Sequence, residues 1–274
     1  MKYLVLGSSG VIGTPLCQHL VSLGHTVIPF DIENGTAQDI RTFDSALLEK
    51  CVTECDFVFH LAWDVGGSLY LQKYQDTFDF VQNNLKIMVN SFELFKKHNK
   101  PFLFASSQMS NMSFSSYGLT KAIGEKLAAS LGGLTVKFWN VYGYEHDLEK
   151  SHVVTDFIIK ARDRQYIDMR TDGTEMRQML YATDCSECLY LLSQQYAILP
   201  RNKEYHITSF EWIDVLEIAR IIAKQFPGTV IVPAAAKDTG QHDMRNEPDT
   251  HILNYWKPKV SLEEGITKII RRMK

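Results

Sequence analysis

Tyr3-Leu4-Val5-Leu6-Gly7-Ser8-Ser9-Gly10-Val11-Ile12-Gly13 is an apolar run that meets three glycines at three-residue spacing, and an amphipathic stretch from Thr14 to Leu23 follows at once. The pattern predicts a buried strand, a tight turn and a helix start. Glycines there permit positive φ and close backbone approach, and the free N–H groups of a helix N-terminus bind an anion, so a dinucleotide pyrophosphate fits. A second apolar run, Thr26-Val27-Ile28-Pro29-Phe30, ends at Asp31, 18 positions after Gly13. That carboxylate is placed to accept hydrogen bonds from an adenosine ribose. It would repel a 2′-phosphate, and no lysine or arginine follows until Arg41, so NAD is expected over NADP.

Outward from this unit, apolar runs alternate with longer helical patterns, which predicts an α/β protein with a doubly wound parallel sheet. Asp56-Phe57-Val58-Phe59-His60-Leu61-Ala62 reads as the next strand, followed by a long helix from about Tyr74 to His98. Pro101-Phe102-Leu103-Phe104-Ala105 leads into Ser106-Ser107, a helix runs to about Leu131, and Leu134-Thr135-Val136-Lys137-Phe138-Trp139 is a further strand. Chemistry in such sheets gathers at the carboxyl ends of strands, where Gly7, Asp31, His60, Ser107 and Asn140 fall. Beyond about Tyr144 the alternation breaks. Helices near 151–163, 183–195, 211–226 and 261–273 and short strands near 166–170, 177–182 and 204–208 predict a smaller α/β substrate lobe woven back into the main sheet. The division expected is 1–143 for the cofactor domain and 144–274 mainly for the lobe.

Tyr117-Gly118-Leu119-Thr120-Lys121 places a phenol and an ammonium one helical turn apart, on one face. A cation beside a phenol favours the phenolate, so the pair is expected to act as acid or base near pH 7.

At 274 residues the chain can bury a sizeable core, and its 45% hydrophobic and 22% charged residues are ordinary for a soluble globular protein. A net charge of -3 gives no polyanion footprint, so no nucleic-acid partner is expected. Five cysteines, an odd number, suggest no disulfide framework and a reducing compartment, and no apolar run approaches membrane-spanning length. A cytoplasmic protein without a membrane partner is expected. Cys51 with Cys55 and Cys185 with Cys188 lack a histidine at ligand spacing and fall in expected helices, so they read as packing residues, and no metal is assigned.

Gly7-x-x-Gly10-x-x-Gly13, Asp31, Asp39-Ile40, His60-Leu61-Ala62, Asn84, Ser107, Tyr117-x-x-x-Lys121, Asn140-Val141-Tyr142-Gly143 and Arg177 together resemble the extended short-chain dehydrogenase/reductase family, specifically its nucleotide-sugar epimerases, dehydratases and reductases. The resemblance covers nearly the whole chain and implies a Rossmann fold. It implies that Gly7, Gly10, Val11, Ile12 and Gly13 cradle the NAD pyrophosphate, that Asp31 holds the ribose, and that Asp39 and Ile40 flank adenine. Leu61, Ala62 and Asn84 would line the path to nicotinamide. Tyr117 would exchange a proton with a sugar hydroxyl, Ser107 would orient that hydroxyl, and Lys121 would tune the phenol and hold the nicotinamide ribose. Asn140, Arg177 and Arg245 would bind the nucleotide-diphosphate sugar.

Two departures narrow the expectation. Dehydratases of the family carry an acidic pair after the serine position, whereas Gln108-Met109 follows Ser107. Only nine residues separate Ser107 from Tyr117, fewer than is usual, so the wall this connector builds must differ. Lys137 also stands where arginine is more usual. The function expected is NAD-dependent hydride transfer at a ring carbon, C4, of a nucleotide-activated sugar, as an epimerase or 4-dehydrogenase. A 4-ketoreductase is the alternative within the class. A non-catalytic nucleotide- or nucleic-acid-binding relative is the alternative outside it, against which Ser107, Tyr117 and Lys121 all stand. A homodimer is expected through the helices at about 74–98 and 115–131, with Phe78, Phe92 and Phe95 as its apolar surface.

Overall fold

The structure, a computed structural model, describes residues 1–238 and 246–273. Strand β1 (Lys2–Leu6) is buried along nearly its whole length and turns directly into α1 (Gly13–Ser22), which lays Leu16 and Leu20 into the core. β2 (Thr26–Phe30), α2 (Ala46–Glu54) and β3 (Phe57–His60) complete the first half of the sheet, and Ser45 caps α2 by accepting from the Leu48 amide.

The long helix expected from about Tyr74 to His98 is α4 (Phe78–Lys97), and a short helix that the sequence reading did not expect, α3 (Ser68–Tyr74), precedes it. Thr77 divides them: its hydroxyl accepts from the Phe80 amide and restarts the helix. β4 (Phe102–Ser107), α5 (Ser116–Ser130) and β5 (Leu134–Phe138) follow as the sequence pattern predicts. The face that α5 buries consists largely of small residues, Gly118, Thr120, Gly124 and Ala128, with Lys121 among them.

The second half holds β6 (Asn140–Tyr142), α6 (Val153–Arg164), β7 (Tyr166–Asp168), β8 (Met176–Tyr181), α7 (Ala182–Gln194), β9 (Tyr205–Ile207), β10 (Trp212–Asp214), α8 (Val215–Gln225), β11 (Val230–Val232) and α9 (Leu262–Arg272). β6, β10 and β11, three residues each, are too short to show a period.

The main sheet is parallel with order β2-β1-β3-β4-β5-β9, so its sixth strand comes from beyond residue 200. One core cluster combines Tyr3, Phe59 and Val136 with Cys185, Cys188 and Leu189 of α7, so those two cysteines pack the sheet. Cys55 follows the end of α2 rather than lying within it. A second cluster, including Phe157, Ile218, Ile222, Ile266 and Ile269, joins α6, α8 and α9 beside a sheet of order β10-β8-β6. No described helix is long and apolar enough to cross a membrane.

Candidate active site

The turn after β1 is built for close approach. Gly7 has φ +85°, and a Cβ on Gly13 would lie 2.0 Å from the Gly7 carbonyl oxygen. Gly10, Val11 and Ile12 complete the turn, and no side chain caps α1; the Thr14 amide donates to the Gly10 carbonyl and Pro15 has no N–H, so the amides of Val11, Ile12 and Gly13 are the ones that face an anion. Asp31 stands at the end of β2 and faces this turn: its Oδ2 accepts from the Ser9 amide at 2.9 Å. Beside them lies an open cleft of about 470 Å³ whose lining includes Ser8, Ser9, Thr14, Asn34, Gln38 and His146. These residues fit a dinucleotide: a turn that tolerates no side chain at Gly7 or Gly13, a helix start without a side-chain cap, and a carboxylate at the end of the neighbouring strand.

The flanking residues are arranged less openly. Asp39 forms a two-pronged ion pair with Arg41, at 2.9 Å to Nε and 2.7 Å to Nη2, and the guanidinium holds its carboxyl below the usual range. Ile40 is buried with Phe30 and Leu48, so its side chain is committed to the core and offers adenine no open face. Leu61 donates its amide to Leu6, and Ala62 lies against Gly7, so the end of β3 runs alongside the glycine turn. Asn84 is fully buried, and both ends of its amide are taken by one residue: Oδ1 accepts from the Asp64 amide at 2.7 Å and Nδ2 donates to the Asp64 carbonyl at 3.0 Å. Its side chain pins the loop after β3.

Ser107 ends β4, and Tyr117 and Lys121 project from α5 beside it. The Ser107 hydroxyl interacts with the Tyr117 phenol and favours the phenolate. Burial outweighs it and pushes the phenol up to about 12, although part of the tyrosine ring remains exposed. The expected poise near pH 7 is therefore absent without ligand: Lys121 Nζ lies 5.9 Å from the Tyr117 ring centre and desolvation dominates. Lys121 is 3% exposed, and burial holds its pKa well below the ordinary lysine value, against the opposing pull of Glu125. Its ammonium donates to the Ala105 carbonyl at 2.6 Å.

A family model described as the NAD dependent epimerase/dehydratase family matches residues 3–208. The chain belongs to the NAD-dependent epimerase/dehydratase family. NAD is the cofactor of the family, and the relatives of this chain are nucleotide-sugar enzymes. A GDP-L-fucose synthase of Sinorhizobium fredii is 25% identical over 301 residues, covering 96% of this chain and 92% of its own. Among solved structures, an epimerase of Methanothermobacter thermautotrophicus has a TM-score of 0.84 at 19% identity, over 98% of this chain and 91% of that one. A UDP-glucose 4-epimerase of Thermotoga maritima, solved with UDP-glucose, has a TM-score of 0.82 at 21% identity, over 100% and 98%. These structural likenesses carry the fold.

In this member of the epimerase/dehydratase family the short connector is fastened at both ends. Ser115 donates to Gln75 at 2.8 Å and Ser116 to Asp76 at 2.6 Å. Its first turn lies so close to α5 that a Cβ on Gly118 would sit 2.2 Å from the Met109 carbonyl oxygen. Gln108, the buried residue after Ser107, is fixed by Asn246, whose Nδ2 reaches its carbonyl at 2.7 Å and its Oε1 at 2.9 Å. Asn140 and Arg177 lie on the adjacent strands β6 and β8, with Asn140 Nδ2 donating to the Gln178 carbonyl at 3.3 Å. Arg177 is ion-paired to Asp238 at 2.6 Å. Arg245 lies outside the described residues.

Several participants escaped the sequence reading. Glu125 continues the spacing of Tyr117 and Lys121 by four more residues; its Oε1 accepts from Ser106 at 2.5 Å and its Oε2 lies 3.6 Å from the buried Lys137. Lys137 also donates to Glu204 at 2.7 Å and Asn111 at 3.2 Å, so the lysine at this position supports the sheet end behind the site. His60 is fully buried among Phe92, Phe95 and Phe104, and burial pushes it down to about 3, so it is neutral and serves as packing.

Proposed function

We propose that this enzyme catalyses NAD-dependent hydride transfer at a ring carbon, C4, of a nucleotide-diphosphate sugar, as an epimerase or 4-dehydrogenase. The convergence of Ser107, Tyr117 and Lys121 beside the end of β4 carries the reading. Bound NAD supplies the hydride acceptor. Gly7, Gly10, Val11, Ile12 and Gly13 hold its pyrophosphate, Asp31 its adenosine ribose and Lys121 its other ribose, while Asn84 contributes by fixing the loop after β3. With ligand bound, Tyr117 acts as the phenolate and takes the proton of the sugar hydroxyl at Oη, Ser107 Oγ shares the hydrogen bond, and the Lys121 ammonium offsets the cost of that buried negative charge. Asn140, Arg177 and Arg245 bind the diphosphate, and the half from 144 to 274 mainly receives the sugar nucleotide. Return of the hydride to the opposite face of the ketone gives an epimer, whereas release gives an oxidised sugar. Running in reverse, the same residues make a 4-ketoreductase. Gln108, held by Asn246, supplies no acid for dehydration.

The setting proposed is cytoplasmic, with the protein a homodimer. The test is to denature the purified protein, identify the nicotinamide nucleotide released, and incubate the enzyme with UDP-, GDP-, dTDP- and CDP-sugars. Mass spectrometry separates isomerisation from redox change and NMR locates the carbon. A loss of 18 mass units from the sugar would replace this reading with a dehydratase.

A further inference from the structure

Among the described residues, the ammonium of Lys121 has one hydrogen-bond acceptor, the Ala105 carbonyl, and no paired carboxylate. The nearest acid on its own helix is Glu125, whose oxygens are engaged by Ser106 and Lys137. What surrounds the charge instead is aromatic. Lys121 Nζ stands 3.7 Å above the ring centre of Trp63, 5.1 Å from that of Phe104 and 5.9 Å from that of Tyr117. Trp63 is the residue after Ala62, on the loop that Asn84 clamps through Asp64. Its indole N–H is buried without a hydrogen-bond partner among the described residues, so no hydrogen bond to them accounts for its position. Its ring contacts do: it packs edge-on to Phe104 at 5.9 Å and presents its face to the ammonium.

We propose that Trp63 is a positioning residue for catalysis, whose indole face keeps the Lys121 ammonium charged and fixed beside Tyr117. A cation over an indole within about 6 Å is attracted by the ring quadrupole, and the attraction is largest where water is excluded. The other groups facing Lys121 do not replace it. Tyr117 on α5 is neutral without ligand, and His60 on β3, within electrostatic reach, is neutral and repels no charge. Glu125 favours the charged lysine but is shared with Lys137. Loss of the indole therefore lets desolvation strip the proton from Lys121 at lower pH.

The proposal rests on the catalytic reading only for its consequence, and the contact can be measured apart from activity. Lysine labelled at Cε gives an NMR titration of Lys121, assigned by its loss in Lys121→Met. In Trp63→Leu the Lys121 pKa should fall by about 1 to 1.5 units, from roughly 2 kcal/mol for a desolvated cation–π contact at 1.36 kcal/mol per unit. Trp63→Phe should recover part of the fall. Should Trp63→Leu not fold, protein made with fluorinated tryptophans keeps the shape while weakening the quadrupole, and the Lys121 pKa should fall with each added fluorine. The alkaline limb of the kcat/KM profile should move down with it. A Lys121 pKa unchanged in folded Trp63→Leu, or across the fluorinated series, overturns the proposal whatever the rates do. A shifted pKa with an unmoved rate profile would uphold the contact and remove Lys121 from catalysis.

Discussion

At the scale of single residues, Tyr117 carries the sharpest expectation. Tyr117→Phe removes one hydroxyl from a buried site, so fold and NAD binding should persist while kcat falls about 10²–10⁴-fold, the usual contribution of a positioned proton-transfer group. Steady-state kinetics with a thermal melt as control measures it, and near wild-type kcat would end the catalytic assignment. Arg177 makes a different prediction, because a guanidinium on a diphosphate acts equally in ground and transition states. Arg177→Ala should raise KM about 10- to 100-fold, from about 1.5–3 kcal/mol for hydrogen bonds to a charged group, with little change in kcat. The Arg177–Asp238 ion pair adds a consequence of its own: substrate anions compete with that carboxylate, so Asp238→Asn should lower KM. A collapsed kcat in Arg177→Ala with KM unchanged would show that the arginine works on the chemistry.

At the scale of elements, the loop after β3 depends on one amide side chain. Asn84 satisfies both backbone groups of Asp64 from the buried face of α4, and Asp64 in turn accepts from Tyr70 at 2.5 Å and from Asn83 at 3.2 Å. Asn84→Ala leaves the half-buried Asp64 N–H and carbonyl unpaired and should cost about 2 kcal/mol, since each such group costs about 1–3 when fully buried and less where water can reach it. Urea denaturation gives the loss and calorimetry the accompanying drop in NAD affinity; a loss within experimental error would mean that water replaces the amide. This element also shows what the sequence carries and what it does not. The glycine spacing, the strand ends and the Tyr117–Lys121 turn are local patterns, and β1, α1, β4 and α5 follow from them within a residue or two. The role of Asn84 is set across twenty residues by a tertiary contact that no local period encodes. Trp63, Glu125 and Asp238 escaped notice for the same reason, because their partners lie on other strands or far along the chain.

At the scale of the whole molecule, the apolar surface is where the expected dimer must be judged. Phe92 and Phe95 are not part of it: both are buried under β3 and β4, packed on Phe102 and Phe104 or on one another, because the inner face of α4 needs their full volume to cover the sheet. Phe78 is exposed as expected, and the stripe that remains on α5 is Leu119, Ile123 and Leu127, at four-residue spacing. Leu119 and Ile123 are 46% and 48% exposed, and Val89 of the neighbouring α4 is exposed as well. Three aliphatic residues in line on a solvated helix lose contact with water only against another surface, and a second copy of α4 and α5 offers the same stripe about a two-fold axis. The protein should therefore scatter light as a dimer at micromolar concentration. Ile123→Glu places two like charges at the centre of such an interface while leaving the inner face of α5 untouched, so it should yield a monomer with an unchanged circular dichroism spectrum. A wild-type protein that is already monomeric at that concentration would assign the stripe to some other surface and remove the dimer from this description.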